Sequence, residues 1–254
     1  MKKRNAHARF MRVNDRFAVF EAAERLRAAS KYIEAEKLYN GAARLGGGDE
    51  AFKLDCLLSL GDTNRMTGDF IKAIKNYDVA AGLAGRLKDM AGRTDALTGL
   101  GLSLRAAGEI KTAIRILKGC AKEYKRFKDR PGMAFAAWSL AGAYRIQGDL
   151  PKAIVEFKRA KKMFGVLKDK SGAGYCLTGL GGAGRVAERY GDSLKYYTQA
   201  NKVFRGLNDK FGVAYSYCGI ANAMRMQGDF IGALQFFKKA KDNYKKIGDR
   251  VSYA

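Results

Sequence analysis

Aspartate recurs every forty residues along this chain, at Asp49, Asp89, Asp129, Asp169, Asp209 and Asp249. So regular a period restricts the chain to a repeat architecture, and it has to be read before any local pattern. The rest of the unit keeps step with it. Glycine stands three residues after the Asp at Gly92, Gly132, Gly172 and Gly212. A large aliphatic residue falls at Leu60, Leu100, Leu140, Leu180 and Ile220, each followed by Gly or Ala. Glycine then marks a turn at Gly68, Gly108, Gly148 and Gly228, with Glu188 in that place in the fourth copy. Ala73, Ala113, Ala153, Ser193 and Ala233 come next, and seven residues on stand Ala80, Cys120, Ala160, Ala200 and Ala240.

Two helices joined by a glycine-containing turn account for this unit. Asp before the first helix accepts hydrogen bonds from its free backbone N–H groups. Small residues at fixed places let helices approach closely, and Tyr77, Leu117, Phe157, Tyr197 and Phe237 fill the gaps between them. One hairpin cannot cover its own apolar face, so it must stack on its neighbours. Only 2 prolines interrupt the chain.

The stretch "LAGAYRIQGDLPKAIVEFKRA", Leu140 to Ala160, resembles the tetratricopeptide repeat family through Leu140, Ala141, Tyr144, Gly148-Asp149, Ala153, Phe157 and Ala160. The forty-residue length is similar to the longer variant found in kinesin light chain and cell-polarity adaptors. The likeness runs from about Asn14 to the end. It implies an all-α fold, a right-handed α-solenoid of helix-turn-helix repeats. The expected division is a basic N-terminal tail over 1–12 and an array over 13–254. A degenerate repeat spans 13–48, with Ala35, Tyr39 and Ala42 in its second helix. Five repeats follow at 49–88, 89–128, 129–168, 169–208 and 209–248, and 249–254 reads as the start of another. With no polar capping helix after it, the sequence is expected to be a fragment of a longer array, the alternative being a natural frayed end.

In that family first helices line a concave groove. The resemblance therefore implies four groove-facing rows. They are Asp55, Asp95, Phe135, Tyr175 and Tyr215; Leu58, Thr98, Trp138, Thr178 and Cys218; Asp62, Leu102, Gly142, Gly182 and Asn222; and Arg65, Arg105, Arg145, Arg185 and Arg225, preceded by Arg27. Guanidinium groups pair bidentately with carboxylates or phosphates, so the last row suits an acidic extended segment. The competing reading pairs each Arg with the acid four residues on, at Asp69, Glu109, Asp149 and Asp229, a contact worth about 0–1 kcal/mol on a surface. Arg189 replaces that acid in the fourth copy, which leaves Arg185 the most available. Phe135, Trp138, Tyr175, Tyr215 and Asn222 complete the expected partner-binding set, with packing between first helices as the alternative for the aromatics.

The net charge of +23 calls for anionic company. Lysine stripes at Lys118, Lys122 and Lys125, at Lys158 and Lys162, and at Lys238 and Lys245 read as solvated outer faces. Three functions remain open. One is a protein-interaction scaffold binding an acidic peptide or helix. Another is a nucleic-acid-binding basic array, against which Asp55, Asp62 and Asp95 speak. The third is self-assembly through the uncapped C-terminal end, or the sensor part of a larger regulatory protein. No nucleophile–base pair, paired carboxylates, phosphate loop or metal-ligand spacing is present, so no enzyme, cofactor or metal is expected. The sole histidine, His7, lies in the tail, and Cys56, Cys120 and Cys176 sit at small-residue places, which leaves Cys218 as the thiol to test. No apolar run is long enough to be a signal or a membrane span, and a cytoplasmic setting is expected.

Overall fold

A computed structural model describes residues 15–247. The tail over 1–12 with His7, and the expected start of a further repeat over 249–254, lie outside the described residues. Twelve α-helices and no strand occur among the described residues: α1 Arg16–Ala28, α2 Tyr32–Leu45, α3 Glu50–Met66, α4 Phe70–Arg86, α5 Met90–Ala106, α6 Ile110–Phe127, α7 Arg130–Gln147, α8 Leu150–Val166, α9 Lys170–Val186, α10 Tyr190–Gly206, α11 Lys210–Met226 and α12 Phe230–Ile247. The chain falls into two compact units, one through Glu109 and one from Ile110. Within each, every helix packs on the next, giving the all-α, solenoid-type stacking of helical hairpins.

The caps start the helices as the Asp period requires. The carboxylates of Asp49, Asp89, Asp129, Asp169 and Asp209 accept from the backbone N–H three residues on, at 2.8–3.0 Å. Asp69, Asp149 and Asp229 do the same for the second helices α4, α8 and α12. Helix α10 has Arg189 at its N-cap position, and that side chain makes no cap hydrogen bond. Gly68, Gly108, Gly148 and Gly228 all turn the chain with φ between 80° and 95°. Glu188 holds the equivalent place at φ 58°, where an L side chain costs roughly 1 kcal/mol.

The repeated small residues are the contact points between helices. Ala73, Ala113, Ala153, Ser193 and Ala233 are all buried, and so are Ala80, Cys120, Ala160, Ala200 and Ala240. Around them Ile114, Leu117, Leu140, Tyr144, Phe157 and Leu180 form one continuous core cluster of the second unit. Neighbouring first helices also touch each other, α3 with α5 in the first unit, and α7 with α9 and α9 with α11 in the second. On the last described hairpin Phe230 and Leu234 are open, 68% and 70% exposed. Their counterparts Leu150 and Ile154, and Tyr190 and Leu194, are half-buried, because in those repeats another hairpin follows.

Candidate functional site

The fourth row is the C-terminal end of the first helices. Arg65, Arg105, Arg145 and Arg185 are half-buried on α3, α5, α7 and α9, and Arg225 is exposed on α11. The acid four residues on is engaged elsewhere. Asp69, Asp149 and Asp229 cap the following helix, Asp149 also binds Lys152 Nζ at 2.6 Å, and Arg65 pairs instead with Asp62 at 3.3 Å. No ion pair joins Arg65, Arg145 or Arg225 to that acid among the described residues. The turn staple expected for Arg65, Arg145 and Arg225 is therefore corrected. A helix N-terminus competes better for a carboxylate one residue before it than a long, flexible guanidinium does.

In the first unit Arg27 and Arg65 each share an acid of their own helix with a group that sequence reasoning missed. Twelve residues after Arg27 and after Arg65 stands a tyrosine. The Tyr39 hydroxyl donates to Glu24, whose other oxygen binds Arg27 at 2.5 Å, and Arg27 Nε donates to Tyr39 Oη at 3.1 Å. Tyr77 Oη donates to Asp62 at 2.7 Å beside Arg65. Burial pushes the Tyr39 phenol up to about 12, assisted by Glu24 and opposed by Arg27. Burial also pushes the Tyr77 phenol up, with the Asp62 charge adding to it. The signal was present in the sequence: an acid three residues before the Arg coincides with Tyr twelve after it.

The second unit differs in charge. Residues 110–254 hold 29 Lys and Arg against 11 Asp and Glu. Helices α7, α9 and α11 contain no acidic residue at all, while α3 and α5 carry Asp55, Asp62 and Asp95. Tyr197 projects from α10 between two glycines of first helices. A Cβ on Gly181 would lie 2.7 Å from its ring and one on Gly219 2.2 Å, so only glycine seats the ring there. Arg145 and Arg185 both act electrostatically on its hydroxyl. Burial, with a smaller push from Tyr215, raises that phenol to about 12 against the two arginines, so it stays a proton donor. No hydrogen bond to it is present among the described residues.

The other expected residues divide. Phe135 and Tyr215 are open, 38% and 41% exposed, and each stacks on a neighbour of its own helix, Trp138 and Phe211. Trp138 is half-buried against the core, and Tyr175 packs on Phe204 with its hydroxyl 3.2 Å from the Asp209 cap. Asn222 donates to the Cys218 carbonyl at 3.0 Å. Thr98, Thr178 and Leu102 are buried. Burial pushes the Cys218 thiol up, and Arg185 and Asn222 only partly offset it. The other three thiols are buried. The lysine stripes are exposed on α6, α8 and α12. A separate cleft between α8 and α10, lined by Pro151, Ile154, Lys158, Leu180, Arg189 and Tyr196, takes in none of the arginine row. No helix among the described residues is long and apolar enough to cross a membrane.

No family model and no curated protein matches the chain. Solved structures do. A Rap protein complexed with competence and sporulation factor superposes with a TM-score of 0.74 at 12% identity, over 92% of this chain and 76% of that one. The Rap conjugation gene regulator of plasmid pLS20, in complex with the Phr* peptide, gives 0.69 at 13%, over 92% and 74%. The nearly identical TPR-like repeats of a Podosopora anserina kinesin light chain give 0.57 at 13%, over 77% and 96%. At these identities the likeness is one of fold, and the chain has the tetratricopeptide-like helical-repeat fold.

Proposed function

We propose that this chain is a protein-interaction scaffold, and that the first-helix face of its second unit takes an extended acidic segment of a partner polypeptide. The observation that carries the reading is the absence of any carboxylate from α7, α9 and α11, which carry Arg145, Arg185 and Arg225 near their C-terminal ends and open Phe135 and Tyr215 on the first halves of α7 and α11. A face that offers cations and aromatic surface without internal counter-charge favours an anionic chain with an apolar anchor. The fold is compatible with this, since one structure of similar fold, the pLS20 Rap regulator, was solved in complex with the Phr* peptide. Selection from a random peptide library tests it. Binders are expected to be enriched in Asp and Glu, and Arg145→Ala, Arg185→Ala and Arg225→Ala together are expected to weaken them at least tenfold. Unchanged affinity of the triple variant refutes the reading.

Nucleic acid is the competing anion, supported by the exposed lysines of α6, α8 and α12. Its binding falls steeply with salt and is insensitive to the three arginine substitutions, which separates it from the peptide. Oligomerisation through open Phe230 and Leu234 is read by light scattering.

A further inference from the structure

The same three places recur in three hairpins: a residue on the first helix, an arginine three later, and a tyrosine twelve after that. They hold Glu24, Arg27 and Tyr39; Asp62, Arg65 and Tyr77; and Gly182, Arg185 and Tyr197. In the first two the acid receives both the phenol and the guanidinium. In the third the acid is replaced by hydrogen while its two donors remain. The space is also bounded by a further cation. A Cβ on Gly182 would lie 3.3 Å from Tyr197 Oη, 3.5 Å from Arg145 Cδ and 3.6 Å from Arg145 Nε. The remaining repeats lack the phenol, with Leu117, Phe157 and Phe237 in its place, so this combination occurs once among the described residues.

We propose that the space over Gly182 is a seat for one carboxylate, a Glu or Asp side chain of the bound polypeptide, received by the Tyr197 hydroxyl and the guanidiniums of Arg145 and Arg185. The proposal rests on the peptide-binding reading above and fixes its register, because one seat on an otherwise repetitive face lets a segment dock in one alignment. The partner's carboxylate takes the part that Asp62 plays within the first unit. Two charge-assisted contacts and a phenolic hydrogen bond are then supplied to donors that show no hydrogen bond or ion pair among the described residues.

The test uses the full chain labelled at arginine, observed through its Nε–H resonances. The probe is N-acetyl-glutamic acid N-methylamide, with the glutamine analogue and inorganic phosphate as comparisons at constant ionic strength. The Arg145 and Arg185 signals are expected to move together and saturate with the glutamate probe, and to stay still with glutamine. Gly182→Asp supplies the missing carboxylate internally and is expected to abolish the response. Tyr197→Phe, a residue already borne at 157 and 237, is expected to weaken it roughly threefold to tenfold, the equivalent of one hydrogen bond. A wild-type response in Gly182→Asp, uniform movement of all arginine signals, or tighter saturation by phosphate each overturns the seat. Library peptides that are lost in the triple arginine variant but bind Gly182→Asp and Tyr197→Phe unchanged remove the seat and leave the scaffold reading standing.

Discussion

Replacing tyrosine by phenylalanine at two equivalent places should have unequal consequences. Tyr77 is almost fully buried and its hydroxyl donates to Asp62 at 2.7 Å, while Arg65 holds the same carboxylate at 3.3 Å. A hydrogen bond to a charged group contributes about 1.5–3 kcal/mol. The Asp62 side chain is 44% exposed, so water takes over part of the lost contact and the cost falls below that range, to about 1 kcal/mol. Tyr197 is nearly as buried, but its hydroxyl has no acceptor among the described residues, so its loss should cost about 0 kcal/mol. Native-state hydrogen exchange read by mass spectrometry on peptides from 50–86 and 170–206 resolves the two sites separately, which a global melt of a repeat protein does not. Tyr77→Phe should speed exchange in α3 and α4 about fivefold, the equivalent of 1 kcal/mol at 25 °C, and Tyr197→Phe should leave α9 and α10 unchanged. Equal acceleration at both sites, or a larger one at 197, would refute the assignment of an internal acid in one hairpin and an empty seat in the other.

Gly219→Ala places a methyl 2.2 Å from the Tyr197 ring and should destabilise by about 1–3 kcal/mol, lowering the melting temperature by several degrees. Gly119→Ala, on α6 with open space around it, should instead raise it. Glu188→Gly relieves the left-handed turn before α10 and should stabilise by up to about 1 kcal/mol in a thermal melt. For Glu24, burial pushes the carboxyl up, but the hydrogen bonds from Arg27 and Tyr39 outweigh it and hold the carboxyl below its ordinary value. With the folded value depressed, its stabilisation is present above the unfolded carboxylate pKa of about 4.3 and lost as pH falls through the lower folded value. A stability–pH curve from 6 to below 4 should therefore flatten in Glu24→Gln. Cys218, its thiol raised by burial, should react with iodoacetamide more slowly at pH 7 than a free cysteine peptide; faster labelling would contradict the burial argument.

The architecture is written in the sequence because it depends on local and periodic chemistry. An Asp cap, a turn glycine and a small residue at a helix crossing each act within a few residues of where they stand, and repetition every forty residues makes the neighbour of each hairpin another copy of itself. The arginine row was legible for the same reason. Which arginine is closed off was legible in part, in the acid three residues before Arg27 and Arg65 on the same helix, but the phenol that joins that acid comes from the other helix of the hairpin. Asp69, Asp149 and Asp229, four residues on, looked like natural partners for the arginines and are helix caps. Tyr175 shared a row with Phe135 and Tyr215, and Trp138 stood in the next row, yet packing within the second unit takes Tyr175 and Trp138 inward and leaves Phe135 and Tyr215 open. The tyrosine that closes the arginine site in the first unit, and leaves it open in the second, belongs to the other helix of the hairpin. Sequence alone determined the hairpins and their stacking; only tertiary packing decided where a buried donor meets a carboxylate and where it meets a glycine, since that depends on distances across helices rather than on spacing along one.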